Sequence, residues 1–324
     1  MKIHIIYTGG TIGSAMGRDG ALAVSDAQSA MDDDFPAASG RENATRGDAI
    51  IFSVSRPLRI LSENMDAACW NLLIDHIRSL HPTDADALFV THGTDNLAYT
   101  ANLLALLLHG LTLPVFLISS DRPLRDKRAN GRANFDEAVR MTRIGASPGV
   151  YVPYRNTDGV MRVHRGERLL QAGDFSDGFS SVTDPGVNNL TRIARMIRED
   201  ADKPLPNAEK PLLYALNAIT TRVASIRPYP DIRYDLFDPT RTDVILHGTY
   251  HSFTAAESLI GFAKRARENN IDVCLAPMLS RSEKMYESTK RILDSGLVRP
   301  LYDMSFEMAY AYLLIRPSVP KRRA

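Results

Sequence analysis

The chain has 324 residues, long enough for roughly two domains and for a main core that stands without disulfide staples. Lys and Arg number 39 against 38 Asp and Glu, a formal net charge of +1, so no global positive field holds a polyanion and a nucleic-acid partner is disfavoured. Hydrophobic residues at 44% and charged residues at 24% exclude a disordered chain.

Ile3 to Tyr7 is a β-branched and aromatic run that ends at Thr8-Gly9-Gly10-Thr11, the pattern of a buried parallel strand entering a tight turn. This opening is too short for a signal peptide. A second strand is expected over Ile50 to Val54. Met65, Ala68, Cys69, Leu72, Leu73, Ile77 and Leu80 recur at helical spacing, and Pro82 stops that helix. Ala87 to Val90 reads as a strand leading into Thr91-His92-Gly93-Thr94-Asp95, followed by a helix from about Tyr99 to Leu108. Leu103 to Leu111 is the most apolar stretch, but His109 and Gly110 interrupt it well short of the roughly 20 residues that span a bilayer, so no membrane association is expected. A strand over Val115 to Ile118, the polar cluster Ser119-Ser120-Asp121-Arg122, a helix over Ala133 to Arg143 and a strand at Val150 to Val152 complete the first half.

Asp174 to Pro211 interrupts this alternation with Asp184-Pro185-Gly186, Asn188-Asn189, the basic stretch Arg192 to Arg198 and three prolines, and it reads as a connection. Strands at Val223 to Ile226, Val244 to Leu246 and Val273 to Leu275 then alternate with helices near Ala255 to Glu268, Ser288 to Ser295 and Ser305 to Leu314. The expected fold is α/β: a larger amino-terminal, mostly parallel, doubly wound domain over 1–185, a linker over 186–211 and a smaller carboxyl-terminal α/β domain over 212–324. In such sheets ligands sit beyond the carboxyl ends of the strands, which is where the hydroxyl-rich pieces after Tyr7, Leu61, Val90 and Ile118 fall. Cys69 and Cys274 are far apart and lack metal-ligand spacing, so free thiols, no zinc site and a reducing cytoplasm are expected.

Thr8-Gly9-Gly10-Thr11-Ile12-Gly13 and Thr91-His92-Gly93-Thr94-Asp95 each place a threonine after glycine at a strand's carboxyl end. A hydroxyl nucleophile needs a partner to take its proton and amides to hold the oxyanion, and two such turns can supply both. At these residues the sequence resembles the bacterial-type asparaginase family, especially its cytoplasmic type I branch, and the related amidase subunit of the archaeal Glu-tRNA amidotransferase. Ser62-Glu63-Asn64-Met65 looks like the family's substrate loop, and Ser119 to Leu124 with Gly131 to Asn134 resembles the segment around its fourth strand; in the second half only the α/β rhythm and the length fit.

The resemblance implies hydrolysis of a side-chain amide, by default that of L-asparagine, with Thr11 as nucleophile, Thr94 and Asp95 as relay, Asp95 also on the substrate's α-ammonium, and Ser62 and Glu63 at its α-carboxylate and α-amino ends. It also implies a homodimer or homotetramer and no metal or organic cofactor. Three site elements depart from the family. Gln171, in Arg165-Gly166-Glu167-Arg168-Leu169-Leu170-Gln171, stands where the relay lysine belongs; a glutamine carries no charge and relays no proton, and Lys127 and Arg168 are the other cations on offer. Gly20 to Val24 lacks the expected lid tyrosine, and the partner domain's glycine-rich stretch is replaced by His247-Gly248-Thr249-Tyr250-His251-Ser252. These changes leave open an enzyme for a different amide, an amide-transfer reaction or a non-catalytic amino-acid binder.

Overall fold

The computed structural model describes residues 1–10, 12, 14–16, 22–24, 50–80, 84–199, 210–216, 218–281 and 285–316, with backbone alone for 14–16 and 22–24. The chain divides into two compact units, Met1–Ser181 with Glu209–Ala218, and Val182–Ala208 with Ile219–Ala324.

The first unit is built on a six-stranded sheet. Its strands are β1 (Lys2–Ile6), β4 (Ile51–Ser55), β5 (Ala87–Thr91), β6 (Pro114–Ile118), β7 (Gly149–Arg155) and β8 (Met161–Arg165), in the order β4-β1-β5-β6-β7-β8. All neighbours pair parallel except β7 with β8. Strands β2 (Ser14–Met16) and β3 (Leu22–Val24) form a separate antiparallel ribbon. β5 and β6 are buried along their whole length, which explains why they read as unbroken apolar runs.

Both sheet faces are covered. Ile3, Ile5, Phe89, Phe116 and Ile118 pack one face against Phe135 and Ala138 of a helix we call α3 (Gly131–Arg143), which follows α1 (Ala67–Ser79) and α2 (Leu97–Leu107). On the opposite face His4 and Ser55 meet His76 of α1, with Ser55 Oγ 2.8 Å from His4 Nε2 and 2.6 Å from His76 Nε2. α1 starts at Asp66, whose carboxylate accepts from the Cys69 amide at 2.8 Å, and it buries Trp70, Leu73, Ile74 and Ile77. Trp70 Nε1 donates to Thr100 Oγ1 at 3.0 Å, joining α1 to α2. The Arg78 guanidinium donates to the carbonyls of Leu213 and Leu216, which ties the returning segment 209–218 to this unit.

The second unit carries a four-stranded parallel sheet, β11 (Val223–Ile226), β12 (Val244–Gly248), β13 (Asp272–Met278) and β14 (Val298–Tyr302), in that order. Ile245, Val273 and Leu275 pack with Leu259, Phe262 and Ala263 of α5 (Leu259–Glu268) and Ile292 of α6 (Glu287–Asp294), and α7 is Phe306–Ile315. The expected α/β class, with a large and a smaller mostly parallel sheet, is what the chain adopts.

Two parts differ from expectation. The stretch 186–211, expected as a linker, contains α4 (Leu190–Glu199), which belongs to the second unit and buries Ile193, Ala194 and Ile197. Its entry is fixed by Asn188, whose side chain bonds both the Ser305 hydroxyl, at 3.0 Å, and the Ser305 amide, at 2.8 Å. The expectation also lacked β8 and the two-residue ribbon of β9 (Leu169–Leu170) with β10 (Ser180–Ser181). Among the described residues no helix is long and apolar enough to cross a membrane.

Candidate active site

Leaving aside β8 and the ribbons, the first sheet has its earliest strand flanked on one side by the next parallel strand and on the other by those that follow. The chain therefore reverses its winding direction between β1 and β5, and the carboxyl ends of those two strands form the switch point where open α/β sheets hold ligands. Thr8-Gly9-Gly10 follows β1 there, and His92-Gly93-Thr94-Asp95 follows β5.

These turns interlock through the hydroxyls of Thr8 and Thr91 and the backbone of each. The Thr8 hydroxyl donates to the Thr91 carbonyl at 2.5 Å, and the Thr8 amide donates back to Thr91 Oγ1 at 3.1 Å. Gly10 N–H donates to the Ile60 carbonyl at 2.9 Å, and Ile60 N–H to the Thr8 carbonyl at 3.0 Å, so the Ile60-Leu61-Ser62 segment is stitched beside the glycines. Gly10 has φ +82°, and a Cβ there would stand 2.3 Å from the Gly93 nitrogen. A Cβ on Gly93 would stand 2.1 Å from Ser62 Oγ. A side chain at Gly10 would run into the His92-Gly93 backbone, and one at Gly93 into the Ser62 side chain.

Of the residues singled out from sequence, Ser62 is buried at the head of a short 3₁₀ turn, Ser62–Asn64, while Glu63 beside it is exposed. Thr94 is half-buried and Asp95 exposed, one turn ahead of α2. The structure thus brings the Ser62 loop and the Thr94-Asp95 turn together against Gly93. Thr11 lies outside the described residues, as do Gly20 and Ala21 of the lid region, and Leu22 to Val24 form β3. Gln171 is half-buried directly after β9; the Leu169 carbonyl there accepts from Asn102 Nδ2 of α2 at 2.9 Å.

Two further residues contribute: His92, which the sequence reads as positional within its motif, and Asn96, which was not anticipated. His92 is fully buried, and burial pushes its imidazole down to about 4; its Nδ1 lies 2.8 Å from the Gly93 carbonyl. A carbonyl only accepts, so Nδ1 carries the proton and the neutral ring orients the Gly93 peptide. Asn96 donates from Nδ2 to the Ser62 carbonyl at 2.9 Å, linking the two loops by a side chain. The one sequence signal for it is an asparagine at a helix start, which more often marks a cap. Hydroxyls, backbone N–H groups and carboxylates gathered at one sheet edge suit acyl chemistry, and among the described residues no group of three or more His, Cys, Asp or Glu could hold a metal ion.

This is the site of a two-unit α/β protein with hydroxyl-bearing turns at a sheet switch point. Residues 2–201 match the family model "Asparaginase, N-terminal", and the chain belongs to the asparaginase family. It is 28% identical over 240 residues to L-asparaginase 1 of Escherichia coli (strain K12), covering 72% of this chain and 65% of that protein. It is 26% identical over 270 residues to one subunit of the Glutamyl-tRNA(Gln) amidotransferase of Aeropyrum pernix, covering 78% of this chain and 61% of that one. The chain therefore matches less than two thirds of the length of either relative. The fold is shared with the thermostable L-asparaginase from Thermococcus kodakarensis, with a TM-score of 0.70 and 22% identity over 98% of this chain and 94% of that one.

Proposed function

We propose that the protein is an amidohydrolase that hydrolyses a side-chain amide, with L-asparagine as the default substrate, giving L-aspartate and ammonia. The Thr11 hydroxyl attacks the amide carbon: the O–C bond forms, the C–N bond breaks, and the nitrogen leaves as ammonia with the hydroxyl's proton. Water then cleaves the acyl-enzyme ester and returns the proton to Thr11. Thr94 and Asp95 relay that proton, Asp95 also receives the substrate's α-ammonium, and Ser62 with Glu63 holds its α-carboxylate and α-amino ends. The observation that carries this reading is the interlock of Gly10, Gly93 and Ser62 at the β1/β5 switch point. Family membership supports it.

The same reading makes 1–185 the catalytic domain, the assembly a homodimer or homotetramer, and the working enzyme free of metal and organic cofactors. Cytoplasmic residence fits the two free cysteines, Cys69 and the buried Cys274. A second reading rests on Gln171: without a relay lysine, the site serves a different amide, an amide transfer or amino-acid sensing. Ammonia release from L-asparagine, L-glutamine, D-asparagine and N-acyl amides, run beside thermal shift with the same compounds, separates these. Release from L-asparagine upholds the leading reading, and a shift without release from any amide replaces it with a binder.

A further inference from the structure

Asn96 heads α2 in the left-handed conformation, φ 57° and ψ 8°, and makes no side-chain bond to its own helix. An asparagine in that place ordinarily caps the first turn from the extended region. Here the backbone points the side chain away from the helix, and its amide is spent on the carbonyl of Ser62, 34 residues earlier, at 2.9 Å. The same carbonyl accepts from the Met65 amide at 3.1 Å, so Ser62 is held from its own turn and from across the site. Gly93 supplies the close approach that lets the two loops meet.

We infer that Asn96 is a positioning residue that sets the spacing between Ser62 and Asp95, and so tunes recognition of the α-amino-acid end of the substrate more than the amide chemistry, in which Asp95 shares. This rests on the roles proposed above for Ser62 and Asp95. Asn96 adjoins Asp95 in sequence and bonds Ser62 in space, so one short side chain fixes the distance between the group that meets the carboxylate and the group that meets the ammonium. A substrate with a free α-carboxylate and α-ammonium senses that distance, whereas the reacting amide at the far end does not.

Two variants separate this role from a mere backbone requirement. Asn96→Gly keeps the left-handed conformation and removes the amide; Asn96→Asp keeps the shape but sets an oxygen against the Ser62 carbonyl. Both are expected to raise KM for L-asparagine by roughly tenfold or more, the factor carried by one well-made hydrogen bond, with kcat falling by a smaller factor because Asp95 also serves the relay, and with the larger rise in Asn96→Asp. They should weaken L-aspartate as a competitive inhibitor in parallel. KM and inhibition unchanged in both variants of an active wild type would overturn the inference alone. A wild type that binds L-asparagine without turnover carries the same test on the thermal shift, which both variants should diminish, and an undiminished shift overturns the inference. A wild type that neither turns over nor binds L-asparagine or L-aspartate overturns the functional reading, and this inference with it.

Discussion

His92 and His247 do the same thing in two different sheets. Each sits at the carboxyl end of a central parallel strand, His92 just after β5 and His247 one residue before the end of β12; each is fully buried and donates from Nδ1 to the carbonyl of the glycine that follows it, at 2.8 Å for His92 and 2.6 Å for His247. Each precedes a Gly-Thr pair. His247 Nε2 also accepts from the Tyr234 hydroxyl at 2.8 Å, which fixes its neutral tautomer from both sides. The repeated device holds a glycine peptide rigid at a sheet's carboxyl edge.

Acid should therefore destabilise the protein earlier than carboxylate titration would. Burial pushes both imidazoles from 6.5 down to about 4, and His164 moves the same way. The unfolded chain takes up these protons near pH 6.5 and the folded chain only near pH 4. Stability is full above pH 6.5, falls as the pH drops from 6.5 to 4, and levels off below. For each of His92 and His247 the loss is on the order of 3 kcal/mol. Urea unfolding between pH 7.5 and 4 checks this, and a midpoint that stays flat down to pH 4.5 contradicts it.

Gly93→Ala should be costly for reasons of space alone, since Gly93 is not among the glycines with left-handed backbone. The added methyl meets Ser62 Oγ, and overpacking of this kind costs about 1–3 kcal/mol. Thermal melts should show the loss, and Ser62→Gly in the same background should return part of it. A single variant as stable as wild type would contradict the interlock.

Gln171→Lys should raise L-asparagine turnover if the position serves the relay. General acid and base assistance is worth roughly 10²- to 10⁴-fold, and an engineered ammonium should recover a fraction of that, about tenfold or more. The gain should vanish when Asp95→Asn is added. A wild type already turning over at about 10 s⁻¹ or faster, or a Lys variant with no gain, shows that position 171 is not where a relay cation would act.

The strands and helices around the site were legible because β5 and β6 are buried along their whole length, β1 is buried at Ile3, Ile5 and Ile6, and polar clusters or glycines follow each. The position of the site followed from that alternation. α4 was hidden because Arg192, Arg195 and Arg198 interleave with Ile193, Ala194 and Ile197 between proline-rich flanks; only the packed structure shows that one face is buried. β8 reads Met-Arg-Val-His-Arg, a polar edge strand that gains its order from pairing with β7. The contact of Gly93 with Ser62 and the reach of Asn96 join residues more than thirty positions apart, and local pattern carries no trace of such tertiary pairs.

Amide cleavage through Thr11, as proposed, is tested by ammonia release from L-asparagine by wild type and Thr11→Ala, with thermal melts of both. Wild type should release ammonia and Thr11→Ala should fall to the buffer background with unchanged melting, because losing one hydroxyl costs little stability. Turnover by Thr11→Ala close to the wild-type rate would contradict it.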